Sequence, residues 1–267
     1  MTIGGLVEYV EVFLLVLARV YALLRTAPMS SSSNIPRLAR IGLAFFCATA
    51  VLPGVVDTGY QIPQSGFAYA MLVVGEAMIG IVLGFFLNVV FSAFIVAGQF
   101  FSLQMGFGAS QVFDPLAQVQ IPVMGQFLNV VAMLVFVTNR GFQKIFLFGV
   151  DGSFRALTAA DLVAQHDFVL RTLISGLGSM FEQALIIAFP IFGTLILVYV
   201  TMGLLAKAAP QMNLLMLGFP IAISAAFFVL FLTVPVLMES FGRIIDLSFA
   251  GILDLATKVG RRAGGGG

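Results

Sequence analysis

The sequence predicts an all-α, polytopic membrane-associated protein made of helical hairpins. Of its 267 residues, 60% are hydrophobic and only 9% are charged, whereas a soluble domain averages near half apolar and a quarter charged. Mean hydropathy is +1.09. The apolar residues gather into runs of bilayer length, separated by short breaks rich in Pro, Gly and Ser.

The first run, residues 6 to 24, is apolar apart from Glu8, Glu11 and Arg19, and Pro28, Ser30 to Ser33, Asn34 and Pro36 follow it. This reads as a helix, a polar turn and a new start. Those two acids and the lack of a preceding basic cluster argue against a cleavable leader, so the segment is expected to persist. A second run, 38 to 56, stops at Asp57, Gly59 and Pro63. The third, 67 to 103, is interrupted only by Glu76, Asn88 and Gln99. At about 1.5 Å per residue it reaches roughly 55 Å, beyond a hydrocarbon core of ~30 Å, so it is expected to kink or to project from the bilayer.

Residues 104 to 122 contain Gly106, Gly108, Pro115 and Pro122 and read mostly as loop. A fourth run, 123 to 137, closes at Asn139, Arg140 and Gly141; residues 142 to 168 then mix charges with Phe and Leu, as in an amphipathic segment followed by a polar loop. The fifth, 170 to 206, carries Glu182 and Pro190 internally, and the sixth, 212 to 238, carries no charge. From 239 to 262, Phe241, Ile244, Ile245, Phe249, Ile252 and Leu255 recur at helical spacing. The expected organisation is N-terminal helical hairpins over 1–103, a central loop over 104–122, central helices over 123–205, a C-terminal hairpin with an amphipathic tail over 206–262, and a flexible tail over 263–267.

Composition also excludes function classes. There are 13 basic and 12 acidic residues and a net charge of +1, which leaves no electrostatic footprint for nucleic acid. The lone Cys47 cannot close an internal disulfide, and the lone His166 cannot build a His/Cys metal site, so no cofactor or metal is expected. No HExxH, GxSxG or paired-Asp constellation is present, so no catalytic residues are expected and the chain is read as a non-enzyme. With 28 Phe, no Trp and 5 Tyr, few residues can form an interfacial belt, so part of the apolar surface is expected to meet protein. Basic residues vote inconsistently on topology: Arg25, Arg37, Arg40 and Lys207 agree under six alternating spans, while Lys258, Arg261 and Arg262 fall on the opposite side. Paired helices in a larger assembly, some of them not crossing the bilayer, fit better than a plain six-span bundle.

Three features carry possible function. In the 104–122 loop, Met105, Phe107 and Phe113 supply apolar groups and Gln111, Gln118 and Gln120 supply uncharged polar ones, a chemistry suited either to a simple connector or to obstructing a pore. Asp114 before Pro115 reads as a turn initiator. Gly75, Gly80 and Gly84 offer small-residue spacing for close helix packing. Glu8, Glu11, Arg19, Glu76 and Glu182 sit in apolar runs, where an uncompensated charge costs at least ~2.5 kcal/mol. Glu11 and Arg19 are too far apart along one helix to pair, so these groups are expected to bond between subunits or to protonate in place, and a proton relay is the sharper alternative.

The segment SLQMGFGASQVFDPLAQVQIPVMGQFLNVVAMLVFVTNRGFQKIF resembles the central signature of the FliR family, the flagellar export-gate proteins whose virulence type III secretion counterparts are SpaR, YscT and HrcT. AKAAPQMNLLMLGFPIAI resembles the family's late hairpin, and the likeness extends to the early block LARVYALLRTAPMSSSSNIPRLARIGLAF. One departure is Asn139-Arg140-Gly141-Phe142, where the family often has Asn-Gly-His-His, so no role is carried to that turn. The resemblance implies a structural channel subunit of a flagellar type III protein export gate in the bacterial inner membrane and basal body. It further implies a fold like fused FliP-like and FliQ-like hairpins, assembly with FliP-like and FliQ-like subunits, FlhB-like and FlhA-like neighbours, unfolded export substrates, and a 104–122 loop that plugs the closed pore. Two alternatives stand beside it: a virulence gate subunit sharing the same motifs, and a small-molecule or ion transporter, for which neither a repeat nor a cluster of convergent charges is found.

Overall fold

The computed structural model describes residues 3–28, 35–56, 60, 62–63, 65–106, 123–209, 211 and 214–264. Among these every regular element is helical. In chain order they are α1 (Ile3–Thr26), α2 (Arg37–Val56), α3 (Gly66–Gln104), α4 (Val123–Thr138), α5 (Gly141–Lys144), a π-helical stretch (Ile145–Asp151), α6 (Gly152–Ala156), α7 (Ala159–Ala164), α8 (His166–Ala208) and α9 (Leu214–Gly264).

Local chemistry sets the helix ends. The Thr26 hydroxyl turns back to the Ala22 carbonyl at 2.9 Å as α1 finishes. At the start of α3 the Ser65 hydroxyl accepts from the Ala68 amide at 3.2 Å, satisfying one of the orphan donors of the first turn. Arg140 adopts a left-handed conformation, φ 56°, and so breaks α4 from α5. Thr158 and Asp161 form a reciprocal capping box at the start of α7.

Two expectations are corrected by this architecture. The polar loop expected within 142–168 is helical nearly throughout, because its polar residues act as caps and pairs: Thr158 with Asp161, and Arg155 with Asp151 at 3.2 Å. The sixth apolar run and the amphipathic tail, read as separate, form the single helix α9. Its charges are accommodated by pairs four residues apart, Glu239 with Arg243 and Asp254 with Lys258, so no break is needed. The long third run is also one unbroken helix, α3.

The chain forms two compact units. The first gathers Met1–Val90, Phe136–Leu177 and Ile244–Gly267, and the second Phe91–Val135 and Gly178–Arg243. Helices α3, α4, α8 and α9 therefore each supply residues to both. In the first unit, Leu15, Val16 and Leu23 of α1, Ile79 and Leu83 of α3, and Phe249 and Ile252 of α9 are buried, and the Phe136 ring lies 6.3 Å from Phe249. The second buries Phe94, Leu128, Ala184, Ile191 and Phe241, with Phe94 and Phe241 rings 4.3 Å apart.

Among the described residues four helical segments are each long and apolar enough to cross a membrane, Arg37–Val56, Gly66–Gln104, His166–Ala208 and Met216–Val259, while Val123–Thr138 and Gly141–Ala156 reach that length only when taken together across a 70° bend. The expected all-helical, membrane-spanning class is observed. In the second unit α3 and α4 approach backbone to backbone at Gly98 and Gly125, where a side chain on Gly98 would come within 2.7 Å of the Met124 carbonyl carbon. Gly193 on α8, by contrast, faces open space. Gly98→Leu is expected to lower the melting temperature of the protein heated in its native membrane by several degrees, and Gly193→Leu to leave it unchanged or raised, since only the former pushes two backbones apart. Equal melting temperatures would remove the close-approach role of Gly98.

Candidate functional site: a buried ion-pair cluster beside a glycine seam

The densest polar arrangement among the described residues lies inside the first unit, on charges that the sequence left isolated. Arg19 is fully buried, and its Nε donates to Glu76 Oε2 at 2.6 Å. Nη1 donates to the Ser153 hydroxyl at 3.2 Å and Nη2 to the Leu157 carbonyl at 2.9 Å. The guanidinium also rests 3.8 Å from the Phe154 ring centroid, a cation–π contact strengthened by burial. Glu76, equally buried, uses its second oxygen to accept from the Tyr60 hydroxyl. Burial, and next the Glu76 charge, push the Tyr60 phenol well above its ordinary range, so it remains a hydrogen donor at physiological pH.

The elements that bring these groups together are set by local sequence. Ser153 and Phe154 follow the π-helical stretch, which changes the helical register immediately before them. The Ser153 hydroxyl is itself anchored to the Val150 carbonyl at 2.9 Å. Leu157 leaves α6 in an extended conformation, freeing its carbonyl for Arg19, and the Thr158 box restarts the helix at once. The cluster thus ties α1, α3, Tyr60 and the α6–α7 junction. It corrects the expectation that Arg19 and Glu76 bond to another subunit or protonate in place, because they neutralise each other within the chain.

The glycines picked from the sequence lie against the same region. A side chain on Gly80 would strike the Arg19 carbonyl oxygen and stand 2.9 Å from the Leu23 amide; one on Gly84 would strike the Thr26 hydroxyl and come within 2.8 Å of the Leu23 carbonyl oxygen. One on Gly75 would lie 2.6 Å from the Ala159 methyl. Glu76, Gly80 and Gly84 follow each other at four-residue steps along one face of α3, so that face approaches α1 closely. Tyr69 adds a hydrogen bond from its hydroxyl to the Glu11 carbonyl at 2.9 Å.

Of the loop residues, Met105 is described and is buried at 2% exposure in the second unit. Phe107, Gln111, Phe113, Gln118 and Gln120 lie outside the described residues. The stem before them is pinned within that unit: the Tyr199 hydroxyl donates to the Gln104 carbonyl, and Gly106, at φ 83°, packs so tightly on the Phe219 ring that a side chain has no room. Sequence reasoning missed Tyr60, Ser153, Tyr199 and Phe219. The available signal was the opposite sign of Arg19 and Glu76 in the first and third apolar runs. No group of His, Cys, Asp and Glu able to hold a metal occurs among the described residues.

An all-helical membrane protein with a charge pair buried in its interior, and with much apolar surface left exposed, is the class these observations define. Residues 10–248 match the family described as bacterial export proteins, family 1, and the chain belongs to that family. The chain is 29% identical over 251 residues to the flagellar biosynthetic protein FliR of Borreliella burgdorferi, covering 91% of each chain. It is 28% identical over 262 residues to FliR of Bacillus subtilis, covering 96% of this chain and 99% of that one. To the surface presentation of antigens protein SpaR of Shigella flexneri it is 27% identical over 237 residues, covering 87% and 90%. The FliR-family resemblance drawn from the motifs is thereby shown.

Glu76→Gln is expected to destabilise the protein in its native membrane by about 3–5 kcal/mol, because it strands the Arg19 charge in a buried interior. Replacing both partners, Arg19→Met with Glu76→Met, is expected to restore at least half of the loss, since no uncompensated charge then remains. Thermal melts of the single and double variants measure this, and a double variant as weak as the single one would show that the pair's polar contacts matter beyond charge balance.

Proposed function

We propose that this chain is a structural channel subunit of a flagellar type III protein export gate in the bacterial inner membrane, without catalysis of its own. The observation that carries the reading is the match along nearly the whole chain to flagellar biosynthetic FliR proteins, together with the family assignment. In this reading the chain joins FliP-like and FliQ-like subunits, resembling a fusion of their hairpins, and neighbours FlhB-like and FlhA-like proteins. Unfolded export substrates pass through the assembled channel, and the loop of residues 104–122 obstructs it when closed. Support comes from the extent of exposed apolar surface, such as Phe189, Phe228 and Phe231, combined with a lack of Trp for a lipid-facing belt. The likeness to SpaR favours a second reading, a gate subunit of a virulence type III system, built on the same physics.

Two linked measurements test the proposal. Co-expression with FliP-like and FliQ-like partners is expected to yield a detergent-stable complex, whereas the chain alone aggregates or is proteolysed; a monodisperse, protease-resistant monomer would overturn it. Deleting Phe107 to Ala117 is expected to leave that complex intact but to make the membrane conduct ions, with single alanine changes at Phe107 or Phe113 leaking less because neighbouring apolar groups partly refill the gap. An assembled deletion variant as tight as the wild type would reduce the loop to a connector.

A further inference from the structure

Between Arg171 and Lys207, helix α8 holds one charged side chain, Glu182. Its turn buries Met180, Ala184, Ile187 and Ala188, and Glu182 is exposed on the other side. Phe181, Leu185, Ile186 and Phe189 around it are each more than half exposed, and Gly178, one turn before, has open space where a side chain would stand. Among the described residues Glu182 has neither a hydrogen-bond nor an ion-pair partner. Arg171 is no substitute, since eleven residues of helix separate the two by about 16 Å of rise.

Neither lipid nor water satisfies this patch. In hydrocarbon the carboxyl group has no hydrogen-bond partner, and in water the surrounding Phe, Leu and Ile side chains remain uncovered. A second copy packed in parallel through the same face would set Glu182 against Glu182. A copy packed antiparallel would need the opposite insertion in the membrane. What satisfies charge and apolar rim together is a helix from a different protein, apolar along its length, with one basic side chain at the matching depth. The open space above Gly178 lets such a helix approach closely.

We propose that the Glu182 face of α8 docks a transmembrane helix of a partner protein through a Lys or Arg side chain paired with Glu182. This deepens the export-gate reading and rests on it for the partner's presence, though the surface argument itself uses only this chain.

The test keeps Glu182 in place and puts the photo-crosslinking residue benzoylphenylalanine at Ile186 of the full chain in its native membrane. The expected product is an adduct with a different protein, mapped by mass spectrometry to an apolar helix containing a Lys or Arg. Adducts with lipid only, or with a second copy of this chain, would overturn the proposal. In parallel, Glu182→Lys is expected to cut recovery of the co-expressed complex at least tenfold and Glu182→Gln severalfold, with both variants equal to wild type in expression and membrane insertion. Changing the mapped basic residue to Glu is expected to restore recovery of the Glu182→Lys chain. Wild-type recovery of Glu182→Lys sinks the docking role while leaving the gate reading intact, whereas failure of the wild-type chain to form any complex with FliP-like and FliQ-like partners sinks the gate reading and leaves the crosslink as the independent judge of the surface.

Discussion

Arg19 and Glu76 impose the central constraint on this protein. Two opposite charges lie fully buried, and removing either from water costs several kcal/mol before any compensation. That cost is met only because the surroundings are nearly saturated: Nε and both terminal nitrogens of the guanidinium have acceptors, and both carboxylate oxygens have donors. Such a site tolerates little drift. Its donors and acceptors come from four pieces of chain, so α1, α3, Tyr60 and the segment from α6 to Leu157 must arrive in one arrangement or leave a charge exposed to low dielectric.

The glycine seam makes that arrangement reachable. Gly80 stands one turn beyond Glu76 on the same face of α3 and meets the backbone of α1 at Arg19 itself. Without a side chain there, the two helices come close enough for Nε and the carboxylate to be 2.6 Å apart. Gly84 extends the contact to the end of α1, where Thr26 and Ala27 close the helix. Packing specificity and charge neutralisation are therefore two aspects of one helix crossing, and bulk at the glycines would act on the ion pair through the backbone.

Much of the fold could be read from the sequence because apolar runs and Pro, Gly and Ser breaks report directly on helices and turns. The bounds of α2, α3 and α4 fall close to the expected ones for that reason. Reading failed where polar residues serve helices instead of ending them: Asp161 looked like loop but caps α7, and Glu239 looked like an interruption but pairs with Arg243 on α9. The candidate cluster was only half visible. Lone charges at Arg19 and Glu76 stood out, yet their pairing depends on a contact across 57 residues, and hydropathy carries no information about which helix lies beside which. Glu76, Gly80 and Gly84 did share helical spacing, and joining the charge to the glycines would have pointed to one face of α3. The Ser153 and Leu157 contributions depend on a π-helical register and on one extended residue, neither of which has a compositional signature.

Neither compact unit is a continuous piece of chain. The first is begun by α1 and finished only when Ile244–Gly267 has been made, with Leu253 of that last portion packing on Gly152. On the ribosome this becomes an order of events. Arg19 emerges 57 residues ahead of Glu76 and 138 ahead of the Leu157 carbonyl. At roughly 5–20 residues per second, the cation waits about 3–11 s for its carboxylate and about 7–28 s for the full set of acceptors. Throughout that interval Arg19 lacks part of the set of acceptors it has in the finished fold. The first unit thus joins segments made far apart in time, and α9 supplies the last of them.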